Sequence, residues 1–218
     1  MADVLPPLPL FTAFVAASVI LAVTPGPAVF YIVTRSVAHG RLSGLASVAG
    51  VAVGNLGNAI GASLGLAALF AVSSLAFTIV KYLGALYLIW LGFQALRAQP
   101  VDATAIEASV DRAAARRIFT DGFVVALLNP KTAIFFAAFL PQFMSPGASA
   151  IGQSALLGAT FVLIASVTDL GYVLCASAVA PLFTRSRRIG AAGRWLSASA
   201  FIGLGVFTAV TGQRSVAH

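Results

Sequence analysis

The stretch TPGPAVFY, residues 24–31, places two prolines around a glycine in the middle of a long apolar segment. Proline removes a backbone donor and clashes with the preceding helical turn, so one helix should end here and another should begin. Threonine is a favourable N-cap and proline is favoured in the first helical turn. We therefore expect Thr24 and Pro25 to start a half-helix. We expect Gly26 to permit close approach of another backbone or of a ligand.

The composition around this break is that of an integral membrane protein. Of the 218 residues, 60% are hydrophobic and 9% are charged, and the mean hydropathy is +0.99. A soluble domain carries about 25% charged residues. We therefore predict an all-α polytopic membrane protein in contact with the lipid bilayer. We attribute the net charge of +7 to basic loops and not to nucleic-acid binding.

Six apolar segments are long enough to cross a bilayer, which takes about 20 residues. The first lacks the basic start of a signal peptide, so we interpret it as a span, with a cleaved signal as the alternative. The loops after spans 1, 3 and 5 carry ten basic residues and the opposite side carries two. The positive-inside rule then predicts both termini on the periplasmic side of a bacterial inner membrane. The predicted spans are residues 9–34, 43–70, 75–96, 118–142, 152–182 and 194–213.

Two alignments within the chain predict an internal repeat. TPGPAVFY aligns with NPKTAIFF at 129–136, and KYLGALYLIWLGF at 81–93 aligns with RWLSASAFIGLGV at 194–206. Three spans in each half would make the halves inverted repeats with discontinuous helices 1 and 4, a plan found in secondary transporters. Chance similarity between segments rich in Ala, Leu and Gly is the alternative. The predicted division is 1–97 for the first repeat, 98–117 for a cytoplasmic linker and 118–218 for the second repeat, all within one membrane domain.

Asn129 and Pro130 repeat the pattern of the first break, with an N-capping residue before a proline. In the predicted orientation the two half-helices direct their N-termini at each other near the membrane centre. Helix N-termini favour an anion, and Lys131 adds a full positive charge. A simple proline kink in each span is the alternative.

Asp169 lies near the middle of span 5, where a carboxylate is costly and indicates function. We expect it to bind a substrate ammonium group, to carry a coupling proton, or both. A structural ion pair with Lys131 is the alternative. Asn55 and Asn58 in span 2 are further hydrogen-bonding candidates, with bonding between helices as the alternative. The single cysteine, Cys175, and the lack of histidine within the predicted spans lead us to predict neither a metal site nor a cofactor.

Asp121 lies near the start of span 4, and we expect it at the membrane interface. Glycines at positions 50, 54 and 57 recur along span 2. Small residues at such spacing let helices approach closely, so we interpret them first as packing positions. The same spacing is compatible with a homo-oligomer.

These motifs together resemble the LysE/RhtB family of bacterial amino-acid exporters. The similar motifs are TPGP in span 1, HGRLSGL before the glycine-rich span 2, KYLGALYLIWLG in span 3, LLNPKTAIFF and FLPQF in span 4, and TDLGY in span 5. The resemblance covers about residues 10–210. It implies a six-helix inner-membrane exporter, driven by protons or the membrane potential, that moves amino acids such as homoserine, threonine, leucine or basic residues outward. The matching positions are Pro25, Gly26, Pro27, Asn129, Pro130 and Lys131, and Asp169 is a looser match.

We therefore predict a transporter, and not an enzyme, that exports amino acids by proton-coupled alternating access. Aromatic residues near the breaks, Phe30, Tyr31, Phe135 and Phe136, would sort the substrate side chain. They favour a neutral or apolar amino acid or a derivative such as homoserine lactone. The residues predicted to bind the substrate are Thr24, Pro25, Gly26, Pro27, Asn129, Pro130, Lys131 and Asp169.

Three other functions compete with this prediction. A cation exporter on the same inverted plan would need more carboxylates or thiolates within the spans. An intramembrane protease would need Ser and His, or two acidic residues, at that depth. A membrane scaffold without transport activity is the third alternative.

Overall fold

The computed structural model describes residues 4–63, 74–97, 112–145, 149–184 and 187–210, and the regular elements in these ranges are all helical. This confirms the predicted all-α class. A π-helical turn and a 3-10 turn, Phe135–Phe139 and Leu140–Phe143, continue the fifth helix. The helices are α1 (Leu8–Val23), α2 (Pro27–Ser63), α3 (Ser74–Arg97), α4 (Arg112–Leu127), α5 (Pro130–Ile134), α6 (Ala150–Thr184) and α7 (Arg187–Val210).

Two helices in the described ranges are long and apolar enough to cross a membrane, Pro27–Ala62 and Ala150–Ala180. Shorter apolar helices are Leu8–Val23 and Ala198–Val210. The arrangement of six spans, the orientation of the termini and the division into repeats stay predictions. Parts of the predicted second span (64–70), of the linker (98–111) and of the sixth span (211–213) lie outside the described residues.

Gly40 folds α2 back on itself. Its φ of 80° lies in the left-handed region, which glycine adopts without the penalty of a Cβ atom. A Cβ atom on Gly44 would overlap the Ser36 Oγ, although residues eight apart in a continuous helix are about 12 Å apart. The predicted loop at 35–42 is therefore helical on both sides of a turn at one residue.

The glycines of α2 bring that helix close to α4. A Cβ atom on Gly50 would overlap the carbonyl oxygen of Phe119, and one on Gly54 would lie 2.5 Å from the carbonyl oxygen of Phe123. Gly122 in α4 contacts α2 in the same way. The predicted packing role of glycine in this span is confirmed at positions 50 and 54, where a larger residue would push two backbones apart.

Helices α3 and α7 pack through reciprocal contacts. A Cβ atom on Gly92 would lie 2.5 Å from Ile202 Cγ1, and one on Gly205 would lie 2.7 Å from Ile89 Cγ1. The predicted repeat aligns Gly92 with Gly205 and Ile89 with Ile202. A two-fold relation between two helices would produce such an exchange of contacts, and the internal repeat itself stays a prediction.

The first break ends α1 in a different way from the prediction. The backbone N–H of Thr24 donates to the Ile20 carbonyl at 3.1 Å, and the Thr24 hydroxyl donates to the same oxygen at 2.6 Å. Thr24 is therefore the C-cap residue of α1. The prediction that it caps the following half-helix is wrong, because a threonine hydroxyl bonds a carbonyl four residues earlier as readily as an amide ahead of it.

The second half-helix of this break begins at Pro27, two residues later than predicted. The Phe30 N–H donates to the Gly26 carbonyl at 2.9 Å, which places Gly26 at the N-cap. Pro27 then occupies the first helical position, where its missing donor costs nothing. Pro25 lies within the connection between the two helices.

The second break follows the prediction. Helix α4 ends at Leu127 and α5 begins at Pro130, with Asn129 as the N-cap. The Asn129 Oδ1 accepts a hydrogen bond from the Lys131 backbone N–H at 3.1 Å. This bond satisfies one of the amides that a helix leaves without an internal acceptor at its start.

Candidate functional site

Four helices and both breaks surround a cavity of about 30 Å³. That volume has room for about two water molecules and is far below the roughly 300–1,000 Å³ of ligand pockets. The walls must therefore move apart before a molecule as large as an amino acid enters. The lining residues are Leu21, Ala22, Gly26, Ala28, Val29, Asn55, Asn129, Lys131, Thr132, Phe161, Ala165 and Asp169.

Lys131 reaches from α5 to the C-terminal end of α1. Its ammonium group donates hydrogen bonds to the carbonyl oxygens of Leu21, at 2.9 Å, and Thr24, at 2.6 Å. The last carbonyls of a helix have no internal donors, and a cation is stabilised at that end by the helix dipole. Lys131 thus joins the two breaks by binding the end of one helix from the start of another.

Gly26 provides the space for this lysine. A Cβ atom at this position would lie 3.1 Å from Lys131 Cε and 3.2 Å from its Nζ. The close approach expected at Gly26 is therefore made by a side chain from the opposite break.

Tyr172 provides a second donor to the end of α1. Its hydroxyl donates to the Val23 carbonyl at 2.7 Å. Tyr172 follows Asp169 by three residues on α6, a spacing that places both side chains on one helical face. Both residues belong to the motif TDLGY, but from the sequence we predict a site role for the aspartate alone.

Asp169 lies in the cavity wall with 5% of its surface exposed. Within the described residues its carboxylate accepts no hydrogen bond and forms no ion pair within 4.0 Å. Lys131 lines the same cavity, but its ammonium group binds the carbonyls of α1. The alternative of a direct Lys131–Asp169 ion pair is therefore not what the structure contains. The two opposite charges attract each other across the cavity.

The two asparagines of α2 have different environments. The Asn58 Nδ2 donates to the Ala126 carbonyl of α4 at 2.9 Å, so Asn58 links two helices. Asn55 is 4% exposed and lines the cavity. Its Oδ1 is buried and has no hydrogen-bond partner in the part of the chain that the structure describes.

The eight predicted site residues separate into two groups. Gly26, Asn129, Lys131 and Asp169 line the cavity together. The others act through the backbone at the two breaks or lie beside them: Thr24 ends α1, Pro25 is exposed in the connection, Pro27 begins α2, and Pro130 begins α5.

The four aromatic residues predicted to sort the substrate side chain do not line the cavity. Phe30 is 37% exposed on the outside of α2, and Tyr31 is fully buried with its hydroxyl on the Ile118 carbonyl at 2.7 Å. Phe135 and Phe136 pack in an aromatic cluster. Phe161 of α6 is the aromatic residue in the wall, and no sequence motif identified it.

A second charged cluster lies between α2, α3 and α4. Arg35 and Asp121 form a salt bridge of 3.2 Å, and the Tyr87 hydroxyl donates to the other carboxylate oxygen at 2.9 Å. The Arg35 guanidinium also lies 5.3 Å from the centre of the Tyr31 ring. These partners enclose Asp121 and leave it 4% exposed, and its position at the membrane interface stays a prediction. We call these four residues the Arg35–Asp121 cluster.

Comparison with known proteins identifies a transporter family. Residues 19–212 match the family described as LysE type translocator. The chain is 36% identical over 169 residues to the homoserine/homoserine lactone efflux protein of Salmonella typhimurium, covering 77% of this chain and 81% of the relative. It is 28% identical over 199 residues to the leucine efflux protein of an Enterobacter species, covering 88% and 92%. An uncharacterized membrane protein of Vibrio cholerae is 31% identical over 198 residues, covering 90% and 95%. No solved structure matches the chain.

Proposed function

The chain belongs to the LysE type translocator family, and from this premise we propose that it exports neutral amino acids or close derivatives such as homoserine. Family membership makes the chain a membrane transporter and not an enzyme, because its named relatives are efflux proteins. One observation carries the choice of substrate class: a single cavity joins the ammonium group of Lys131 to the carboxylate of Asp169 at the breaks of two helices. A zwitterionic amino acid needs one group of each sign.

We place the substrate carboxylate at Lys131 and at the first turns of α2 and α5. Ala28 and Val29 carry amides in the first turn of α2, where a helix offers no internal acceptor. The helix dipole there favours an anion. In this proposal Thr24, Pro25, Pro27 and Pro130 contribute by breaking the helices, and Gly26 and Asn129 by shaping the wall.

The substrate ammonium group binds Asp169 in this proposal. The carboxylate has no hydrogen-bond donor among the described residues, so a cation that enters the cavity gains a buried counter-charge. A hydrogen bond to a charged group contributes about 1.5–3 kcal/mol. The side chain of the substrate then lies against the apolar part of the wall, which includes Phe161 and Ala165.

We propose that alternating access begins when the substrate carboxylate competes for Lys131. In the closed cavity the lysine binds two neutral carbonyls of α1. A carboxylate is a stronger acceptor for an ammonium group than a neutral carbonyl. Its arrival would weaken the hold on α1 and let that helix move, which the small volume of the cavity requires.

Proton coupling follows from the chemistry of a single carboxylate. Asp169 holds either a substrate ammonium group or a proton, and not both together. Asp169 would release the amino acid outside and take up a proton there, and it would lose that proton inside. This cycle exchanges one amino acid moving outward for one proton moving inward. Replacing Asp169 by Asn should abolish the pH dependence of export, and unchanged proton-coupled transport by this variant would contradict the assignment.

The decisive experiment is export from cells loaded with dipeptides, which release free amino acids inside. Cells with the protein should release homoserine or another neutral amino acid faster than cells without it. Flux in proteoliposomes with a pH gradient would then test the driving force. Release of no amino acid above the control would contradict the proposal and favour the cation exporter or the scaffold.

A further inference from the structure

Of the cavity-wall residues that the proposed binding mode leaves unused, Asn55 and Thr132 are polar, and Asn55 is the one with a buried acceptor that has no partner among the described residues. Its Oδ1 is buried without a partner in the described residues, and the side chain is 4% exposed. An acceptor removed from water and left without a donor costs free energy. By contrast, Asn129 uses its side chain to cap α5, and Lys131 binds α1.

Packing between helices does not account for Asn55. Asn58, three residues later on the same helix, makes the bond from α2 to the Ala126 carbonyl of α4. Close contact of these helices is made by Gly50 and Gly54. Asn55 instead faces the cavity together with Asp169 and Phe161.

We propose that Asn55 sets the side-chain specificity by accepting a hydrogen bond from a hydroxyl or amide donor on the substrate side chain. This inference rests on the proposed function. The substrate ammonium group prefers the charged Asp169 to a neutral amide, so the free acceptor of Asn55 serves another donor. Ala22, Val29 and Ala165 in this wall offer no partner to a buried hydroxyl, and Thr132 is the other unused polar side chain there.

The test compares homoserine with norvaline, which has a methyl group in place of the hydroxyl at almost the same size. A site that hydrogen-bonds a substrate hydroxyl rejects the analogue without it strongly, because its own polar group is then left unpaired. Wild-type protein in proteoliposomes should transport homoserine at least about 10-fold faster than norvaline at equal low concentration.

Replacing Asn55 by Leu keeps the approximate volume and removes the acceptor. Asn55→Leu should bring the ratio of homoserine to norvaline transport close to one, with norvaline transport within about twofold of wild type. Asn58→Leu is the matched control and should leave the ratio unchanged. If Asn55→Leu is not recovered folded, Asn55→Ala takes its place, with the same expected change in the ratio.

The outcomes separate this inference from the function on which it rests. A wild-type preference that persists in the Asn55 variants would overturn the inference alone. An equal fall in the transport rates of homoserine and norvaline would also overturn it. Asn55 would then bind the part that all amino acids share, or would stabilise the fold. Transport of neither substrate by the wild type would overturn this inference, and transport of no other neutral amino acid either would overturn the proposed function with it.

Discussion

Arg35 and Asp121 form one pair of opposite charges with a buried aspartate, and Lys131 and Asp169 form another, but their surroundings differ. The first pair is in direct contact at 3.2 Å, and Tyr87 satisfies the second carboxylate oxygen. In the other pair the lysine binds carbonyls, and the aspartate faces a cavity without a hydrogen bond among the described residues. A pair in direct contact contributes to structure, whereas a separated pair is available to a ligand that carries both charges.

The largest effect should come from removing one partner of the Arg35–Asp121 cluster. Asp121→Ala leaves the Arg35 guanidinium without its counter-charge, and breaking a buried pair in this way costs about 3–5 kcal/mol. Because Arg35 is 20% exposed, the lower end of that range is expected. Unfolding of the purified protein in detergent, followed by heat or denaturant, measures the loss.

A double variant is the control for this prediction. Arg35→Met with Asp121→Leu removes both charges and should recover most of the lost stability, because an apolar pair of similar size replaces a buried ion pair at little cost. If Asp121→Ala is as stable as the wild type but does not transport, the Arg35–Asp121 cluster takes part in transport.

Asp169→Asn should give the opposite profile, with folding retained and transport lost. The carboxylate has no hydrogen bond and no ion pair within 4.0 Å to lose among the described residues, while a bound ammonium group would lose a charged acceptor. We expect the initial rate of export at low substrate concentration to fall by about 10- to 100-fold, the equivalent of a charged hydrogen bond. The amount of folded protein in the membrane is measured in parallel, and a stability loss like that of Asp121→Ala would show that Asp169 is paired.

Gly26→Ala should perturb the lysine without changing any charge. The added methyl group would lie 3.1 Å from Lys131 Cε, which forces that side chain to shift by a few tenths of an ångström. Small misplacements of a binding group lower rates by up to about 100-fold, and we expect about a 10-fold loss of transport. Gly203→Ala is the matched control, because nothing lies within 4 Å of the added atom there. Equal transport by the two variants would show that the position of Lys131 is not critical.

The breaks could be predicted from the sequence because proline and glycine act locally. Asn129, for example, caps a helix whatever surrounds it. Thr24 was assigned to the wrong helix because its hydroxyl can bond in either direction along the chain. Whether Asp121 and Asp169 form an ion pair could not be predicted, because it depends on residues far away in the sequence. Both aspartates lie in apolar segments of the sequence, but Asp121 forms a salt bridge with Arg35 and Asp169 faces a cavity.

The smallest effect should come from the second donor on α1. Tyr172→Phe removes the hydroxyl that bonds the Val23 carbonyl at 2.7 Å, while Lys131 still holds Leu21 and Thr24. The loss of one neutral hydrogen bond costs about 0.5–1.5 kcal/mol, so the midpoint of unfolding should fall slightly and transport should stay within about twofold of wild type. A loss of transport as large as that of Asp169→Asn would mean that Tyr172, and not only Lys131, controls the movement of α1.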